Sequence, residues 1–461
     1  MSQTTIVRGA WALTMGPAGA IREGAVAFDA DGAITAVGKA EELIAANPEA
    51  QVIGDGNGIV LPGFVNAHTH LTEGLITGMG ETAVLWEWFE RVVNPSGLII
   101  TRDEVALGTR LKAVEMLESG ITTVNDMSCH RNLGALSTLG AVDGLSEMGM
   151  RGVVCFGAED TYEGAPGPEV FMAEHEALAD RIAGESLIDF RVGIGTVLGM
   201  TDELFERTIA AAGEHGWAVH THLAEVREEV TESTLKYGGS TIQHAGRSGL
   251  LEHEVIAGHC IWCSETDIGL LASKDVAVAH NPVANMILAS GVCPVPRLRR
   301  EGVRVGIGTD GAASNDSQDM FGAIKSAALL QKVHHLQAVA MTAPEVVEMA
   351  TIGGAKALGL EDQVGSLEAG KRADVVLLDG NGPEMAVLHD PFQQLVYGAT
   401  PRSVSEVWVD GRLRVAGAET VDVDRTALAS EAREAARDLA IRGDMKGESA
   451  YAGPLDFEEG K

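Results

Sequence analysis

Two histidines separated by one residue, His68 and His70, close the run Leu61-Pro62-Gly63-Phe64-Val65-Asn66-Ala67-His68-Thr69-His70. An apolar, β-branched lead-in predicts a strand, and residues i and i+2 of a strand share a face. Both imidazoles therefore aim at one point, as two ligands of one metal ion must. Further groups able to bind metal or move protons stand at the ends of later apolar runs: His222 with Glu225, then His259, then Asp310. Three imidazoles and a carboxylate complete a Zn²⁺ shell while leaving a place for water. Each residue alone has a bland reading as a satisfied core or surface group; their joint occurrence predicts a metal site. His220 shares a strand face with His222 and is expected to fill a layer one step deeper. His175, His215, His244, His253, His334, His335 and His389 lie in helical or polar contexts and are expected to be solvated.

Other motifs fail on context. Gly306-Ile307-Gly308-Thr309-Asp310-Gly311 has dinucleotide-loop spacing, but it arrives late and lacks an acidic residue at about the twentieth position beyond. Cys260-Ile261-Trp262-Cys263 is a single C-x-x-C without a partner pair. A cytidine-type deaminase needs H-x-E and P-C-x-x-C, and His259, not proline, precedes Cys260.

The elements that must position these groups alternate through the middle of the chain. Strands are predicted at 121–124, 152–156, 190–194, 218–222, 276–280 and 303–308, with helical spacing over 102–119 and 202–215. Repeated strand–helix units predict a parallel sheet, either a closed (β/α)8 barrel with reactive groups at the strand ends or an open doubly wound sheet. Both chain ends read as β structure. Ala25–Phe28 and Ile34–Val37 flank Asp31-Gly32, and Val407–Val409 and Arg412–Val415 flank Asp410-Gly411, both hairpin signals. Another strand is expected at 373–378 and an outer helix at 425–442. One small β domain assembled from both termini is the implied arrangement.

The 461 residues allow a large barrel plus a smaller unit, and 45% hydrophobic content allows a sizeable core. Asp and Glu number 66 against 34 Lys and Arg, a formal charge of −32. Such a surface repels phosphate backbones and anionic lipid, so neither nucleic acid nor a membrane is an expected partner. Five irregularly spaced cysteines imply no disulfide framework. With no basic, apolar leader and no apolar run near the ~18 residues that span a bilayer, a cytoplasmic location is expected.

In these motifs the chain resembles the amidohydrolase superfamily, in the branch of adenosylhomocysteine/methylthioadenosine deaminases, 8-oxoguanine deaminases and s-triazine hydrolases such as atrazine chlorohydrolase. The resemblance rests on 62–71, His220-Thr221-His222-Leu223-Ala224-Glu225, Gly258-His259-Cys260, 308–316 and 365–374, and spans nearly the whole chain. It implies an α/β fold: a (β/α)8 TIM barrel over 59–365, a β-sandwich from 1–58 and 366–420, and a C-terminal helix and tail over 421–461. It also implies that His68, His70, His222 and Asp310 hold one divalent ion, Zn²⁺ or Fe²⁺. Glu225 would shuttle protons, with Asp310 able to take the first one, and His259 would polarise the substrate. Binuclear relatives need a bridging lysine, and none lies between Lys112 and Lys236. A homodimer is a further implication.

The expected activity is hydrolytic deamination of an amino-substituted purine, pyrimidine, pterin or triazine, with activated water attacking a ring carbon and ammonia leaving. Displacement of chloride or alkylamine, or opening of a cyclic amide or urea, is the alternative. Gly97 stands where the nucleoside enzymes of this branch carry a ribose-binding glutamate. Thr196-Val197-Leu198-Gly199 replaces a loop with a histidine. Both departures favour a smaller or flatter heterocycle. Trp86, Trp88 and Phe89 are expected either to wall its pocket or to pack in the core, and Asn281 and Asn285 are candidate substrate contacts.

Overall fold

The computed structural model describes residues 4–445 and the backbone of two short strands, Glu448–Ser449 and Gly453–Pro454. Apart from those strands, the tail beyond 445 lies outside the described residues. Eight parallel strands form the centre: β1 Phe64–Thr69, β2 Ile121–Ser128, β3 Arg151–Ala158, β4 Val192–Thr196, β5 Val219–Leu223, β6 Val255–His259, β7 Ala277–His280 and β8 Val305–Ile307. They neighbour one another in chain order. The amide of Asp310, just past β8, donates to the His68 carbonyl of β1 at 3.0 Å, which draws the ends of the sheet together. The result is a nearly closed (β/α)8 barrel. Its strands are buried along almost their whole length, as a parallel sheet covered on both faces requires.

The helices follow the predicted spans. Arg102–Glu118 starts at Thr101, whose side chain accepts from the Glu104 amide while Glu104 caps the Thr101 amide. Asp202–His215 starts on Thr201 and ends at Gly216 in the left-handed region. Among the described residues, no helix is long and apolar enough to cross a membrane.

The run from Ile59 to His70 is not one strand. Ile59–Pro62 pairs with Trp11–Leu13 and Val375–Leu378 in a seven-stranded sheet outside the barrel, and β1 begins at Phe64. Gly63 makes the passage: a Cβ there would lie 2.0 Å from Thr122 Oγ1. That sheet faces a four-stranded one made of Thr5–Arg8, Gly24–Phe28, Ile34–Lys39 and Gln51–Ile53. Val7, Val26, Phe28, Val60, Val375 and Trp408 are buried between them. Both expected hairpins form, and Asp410 and Gly411 both have positive φ, the demand of a tight two-residue turn. Arg151 at the start of β3 donates to both oxygens of buried Asp374 at 3.2 Å, tying barrel to β domain. Helix Arg425–Arg442 lies outside, its Arg442 paired with Glu104.

One histidine departs from expectation. His175 is fully buried, because helix Pro168–Ile182 turns it inward against Phe156 at 5.4 Å between ring centres. His244 is half-buried and stacked on Tyr237.

Candidate active site

His68 and His70 project from the end of β1, and each has one ring nitrogen committed to a neighbour. His70 Nδ1 donates to the Met127 carbonyl at 2.6 Å, and His222 Nδ1 donates to the Gly195 carbonyl at 2.7 Å. These bonds place the proton on Nδ1 and leave a lone pair on each Nε2. The two Nε2 atoms nevertheless stand only 3.3 Å apart. His68 Nδ1 lies 2.8 Å from His220 Nε2, while His68 Nε2 is buried with no hydrogen-bond partner. Asp310 Oδ1 is 3.3 Å from His68 Nε2 and 3.4 Å from His70 Nε2.

Ring nitrogens and a carboxylate crowded in a buried place need protons or a metal cation among them; Cys129 and Asp310 raise the basicity of His70 despite its burial. A tetrahedral site with metal–nitrogen bonds of about 2.0–2.1 Å has ligand-to-ligand edges of about 3.3 Å. The donor types fit one divalent ion held by His68, His70, His222 and Asp310: the three imidazole ligand atoms lie within 4.8 Å of one another, and Asp310 meets His68 and His70. Burial and the neighbouring imidazoles lower the basicity of His68, to about 4, and hold that of His222 well below the usual value. Burial opposes the charge on Asp310, yet His259, His68 and His70 outweigh it and hold the carboxyl well below the usual range. His220 sits beneath His68, with its Nδ1 3.5 Å from Cys155 Sγ.

Beside this cluster stand an acid and an imidazole. His259 Nε2 is 3.6 Å from Glu225 Oε2 and 3.7 Å from Asp310 Oδ2. Burial raises the Glu225 carboxyl to about 7, so it is poised to hold or release a proton near neutrality. Burial also works against charge on His259, but Glu225 and Asp310 reverse that and raise its basicity. Ala224, His259, Cys260 and Asp310 all have φ between 46° and 67°. Non-glycine residues at positive φ are uncommon, and such strain concentrates where geometry must aim a side chain.

The cavity above these groups encloses about 630 Å³, including its open mouth. Trp88 is buried and Trp86 is 38% exposed; with Leu85 and Phe89 they form the apolar wall. Glu73, Glu159, Glu225, Glu229 and Asp310 face it, and no lysine or arginine lines it among the described residues. Asn281 and Asn285 touch His259 rather than line the cavity. Asn285 Oδ1 is 2.9 Å from His259 Nδ1, and Asn281 Nδ2 is 3.5 Å from its Nε2. Helix Pro282–Ile287 starts directly after β7 and turns positions 281 and 285, one turn apart, back toward β6.

The amidohydrolase family matches residues 59–414. The chain belongs to that family. A Desulforudis audaxviator protein named 5-methylthioadenosine/S-adenosylhomocysteine deaminase is 38% identical over 427 residues, covering 91% of this chain and 94% of its own length. The solved structure of an adenosine deaminase from Xanthomonas campestris with bound zinc has a TM-score of 0.88 and 31% identity, covering 95% of this chain and 98% of that one. A zinc complex of atrazine chlorohydrolase from Arthrobacter aurescens has a TM-score of 0.85 at 24% identity, covering 94% and 100%, and shares the fold.

The amidohydrolase site also uses residues the sequence reading passes over. Glu229 accepts from the Ala224 amide at 2.9 Å, the Glu225 amide at 2.7 Å and Thr241 Oγ1 at 2.8 Å, clamping the turn that carries Glu225. Gln318 Nε2 and Thr69 Oγ1 both donate to the Asp310 carbonyl, at 2.9 and 2.8 Å. Asp126 accepts from the Leu71 amide at 2.6 Å, just past His70. Glu73, which burial raises to about 7, accepts from the Ala313 amide at 3.0 Å. A carboxylate four residues after Glu225 and another three after His70 are the only sequence signals for these roles.

Proposed function

We propose that this amidohydrolase removes an amino group from an N-heterocycle by metal-dependent hydrolysis, with aminated purines as the leading substrates. The observation that carries the proposal is the buried convergence of His68, His70, His222 and Asp310, flanked by Glu225 and His259 at one cavity. The purine preference draws on the names of relatives at 38% and 31% identity, a methylthioadenosine/adenosylhomocysteine deaminase and an adenosine deaminase.

In this reading His68, His70, His222 and Asp310 hold one ion, taken as Zn²⁺ with Fe²⁺ the alternative. Such an ion, when bound, supplies Lewis acidity that brings deprotonation of water into the neutral range. Every other step belongs to side chains. Glu225 takes a proton at Oε2 and returns it to the departing nitrogen, which cannot leave as an amide ion. His259, its Nδ1 proton directed to Asn285 Oδ1, turns Nε2 toward the reacting centre and steadies charge that develops on a ring nitrogen. Asp310 Oδ2 faces His259 and can share the first proton. Trp86, Trp88 and Phe89 press on the ring and exclude water. Asn281 and Asn285 act through His259.

The test is a screen for ammonia over aminated purines, as bases and as nucleosides, with pyrimidines, pterins and triazines, following chloride and alkylamine release in parallel. Ammonia from a purine substrate supports the reading. Release of chloride or alkylamine without ammonia replaces it with displacement chemistry.

A further inference from the structure

Glu159 follows directly on β3, and its carboxylate lines the same cavity as Glu225, His259 and the ligand cluster. One oxygen is fixed: Oε1 accepts from Thr196 Oγ1 at 2.8 Å, and that hydroxyl in turn accepts from the Gly199 amide at 2.9 Å. The space is made for it by its neighbours. A Cβ on Gly195 would lie 2.6 Å from Glu159 Cγ, and one on Gly199 would lie 2.3 Å from Oε1. The loop Thr196-Val197-Leu198-Gly199 carries no ionisable side chain, and the carboxylate reaches over it from the adjoining strand. The Thr196 backbone also hydrogen-bonds the Glu159 carboxylate.

Burial raises the Glu159 carboxyl, and Arg131 opposes that shift. Arg131 itself lies over the Tyr162 ring, 4.5 Å from its centre, and is not part of the main cavity's lining. An ionised carboxylate only accepts hydrogen bonds. Thr196 meets two of its roughly four acceptor sites, so the carboxylate lining the cavity has room for a further donor.

We propose that Glu159 is a specificity-determining residue that accepts a hydrogen bond from an N–H or O–H of the substrate other than the departing amine. It selects neutral or cationic heterocycles bearing such a donor. With four further carboxylates around the cavity, substrates presenting a phosphate or carboxylate there are rejected. The donor is either a ring or exocyclic N–H of the base or a sugar hydroxyl; the chemistry at Glu159 is the same.

The inference rests on the deaminase reading for its choice of probes. The experiment compares wild type, Glu159→Leu and Glu159→Gln, all full-length, zinc-loaded and of equal zinc content. Ammonia release is measured on aminated purine bases and nucleosides, each beside an analogue whose candidate donor is N- or O-methylated. Glu159→Leu is expected to lose about 10- to 100-fold in kcat/KM on the donor-bearing substrate, chiefly through KM, as loss of a hydrogen bond to a charged group entails. Glu159→Gln keeps an acceptor and recovers most of it. The methylated analogue is poor for wild type and no poorer for Glu159→Leu. Whether the base or the sugar methylation produces that pattern names the donor. Equal losses on both members of the pair, or no loss, overturn the proposal. Should wild type release no ammonia from any purine, the deaminase reading falls while calorimetry with the same compounds still decides this one. Binding to wild type but not to Glu159→Leu upholds it; equal binding, or none, ends it.

Discussion

His222 Nε2 and His70 Nε2 face each other at 3.3 Å, each ring donating its Nδ1 proton to a backbone carbonyl. A metal ion there would replace the proton that Cys129 and Asp310 favour on His70 and bind both nitrogens at once. Chelation should therefore abolish activity and also lower the melting temperature, and added Zn²⁺ should restore both. A chelated sample proved metal-free by emission spectroscopy, yet fully active, would remove the metal from the mechanism.

Glu225→Gln keeps the shape of the side chain and loses the titratable proton. With Glu225 raised to about 7, the native carboxyl is a working acid and base near neutrality, and the amide is neither. The expected loss in kcat is about 10²–10⁴-fold, the usual worth of positioned proton transfer. Zinc content should not change, because Glu225 is outside the donor set. Normal turnover in this variant would mean that another group handles the proton.

Asn285 reaches the site only through His259 Nδ1 at 2.9 Å. Asn285→Ala should free the ring to rotate and lower kcat about 10-fold or more, with KM little changed, since orientation of a catalytic group acts mainly in the transition state. A rise in KM at unchanged kcat would instead make Asn285 a ground-state substrate contact.

The barrel and the ligand cluster were legible because both are local patterns. Buried β-branched runs announce strands, and a histidine pair at spacing two announces a shared face. Less regular pieces were hidden. Val255–His259 is missing from the predicted strand spans, although the apolar run that His259 closes is legible. Gly63 splits one apolar run between two sheets, which only the clash with Thr122 reveals. Glu159 and Glu229 look like solvated acids in the sequence. Clearance at Gly195 and Gly199 admits half-buried Glu159, and the Ala224 and Glu225 amides hold Glu229; neither has a signature in spacing. His175 fails for the related reason that a helix's inward face depends on what it packs against.

His175 makes stability pH-dependent. Burial lowers its basicity to about 3, and neither ring nitrogen has a hydrogen-bond partner. The unfolded chain binds a proton there below the ordinary value of 6.5, whereas the folded chain does not until about pH 3. Its contribution is thus intact above pH 6.5 and falls by about 1.4 kcal/mol for each unit of acidification within that window. His175→Leu should flatten the decline of melting temperature between pH 6.5 and 4, with little cost at pH 8. An identical slope in variant and wild type would show that His175 gains its proton without unfolding.

Arg151 and Asp374 join barrel to β domain with side chains 6% and 1% exposed. Asp374 also accepts from the Asp410 amide at 2.8 Å, so the carboxylate anchors the Asp410-Gly411 turn as well. Removing one member of a buried pair strands the other charge, at a cost of about 3–5 kcal/mol, softened for Arg151 by Asp410 Oδ1 at 3.5 Å. Arg151→Met and Asp374→Asn should each lower stability on that scale in urea unfolding. The double variant should be less destabilised than the sum of the two, since neither charge is then stranded. Additive losses would show that the two side chains act independently and that the junction is held by apolar packing instead.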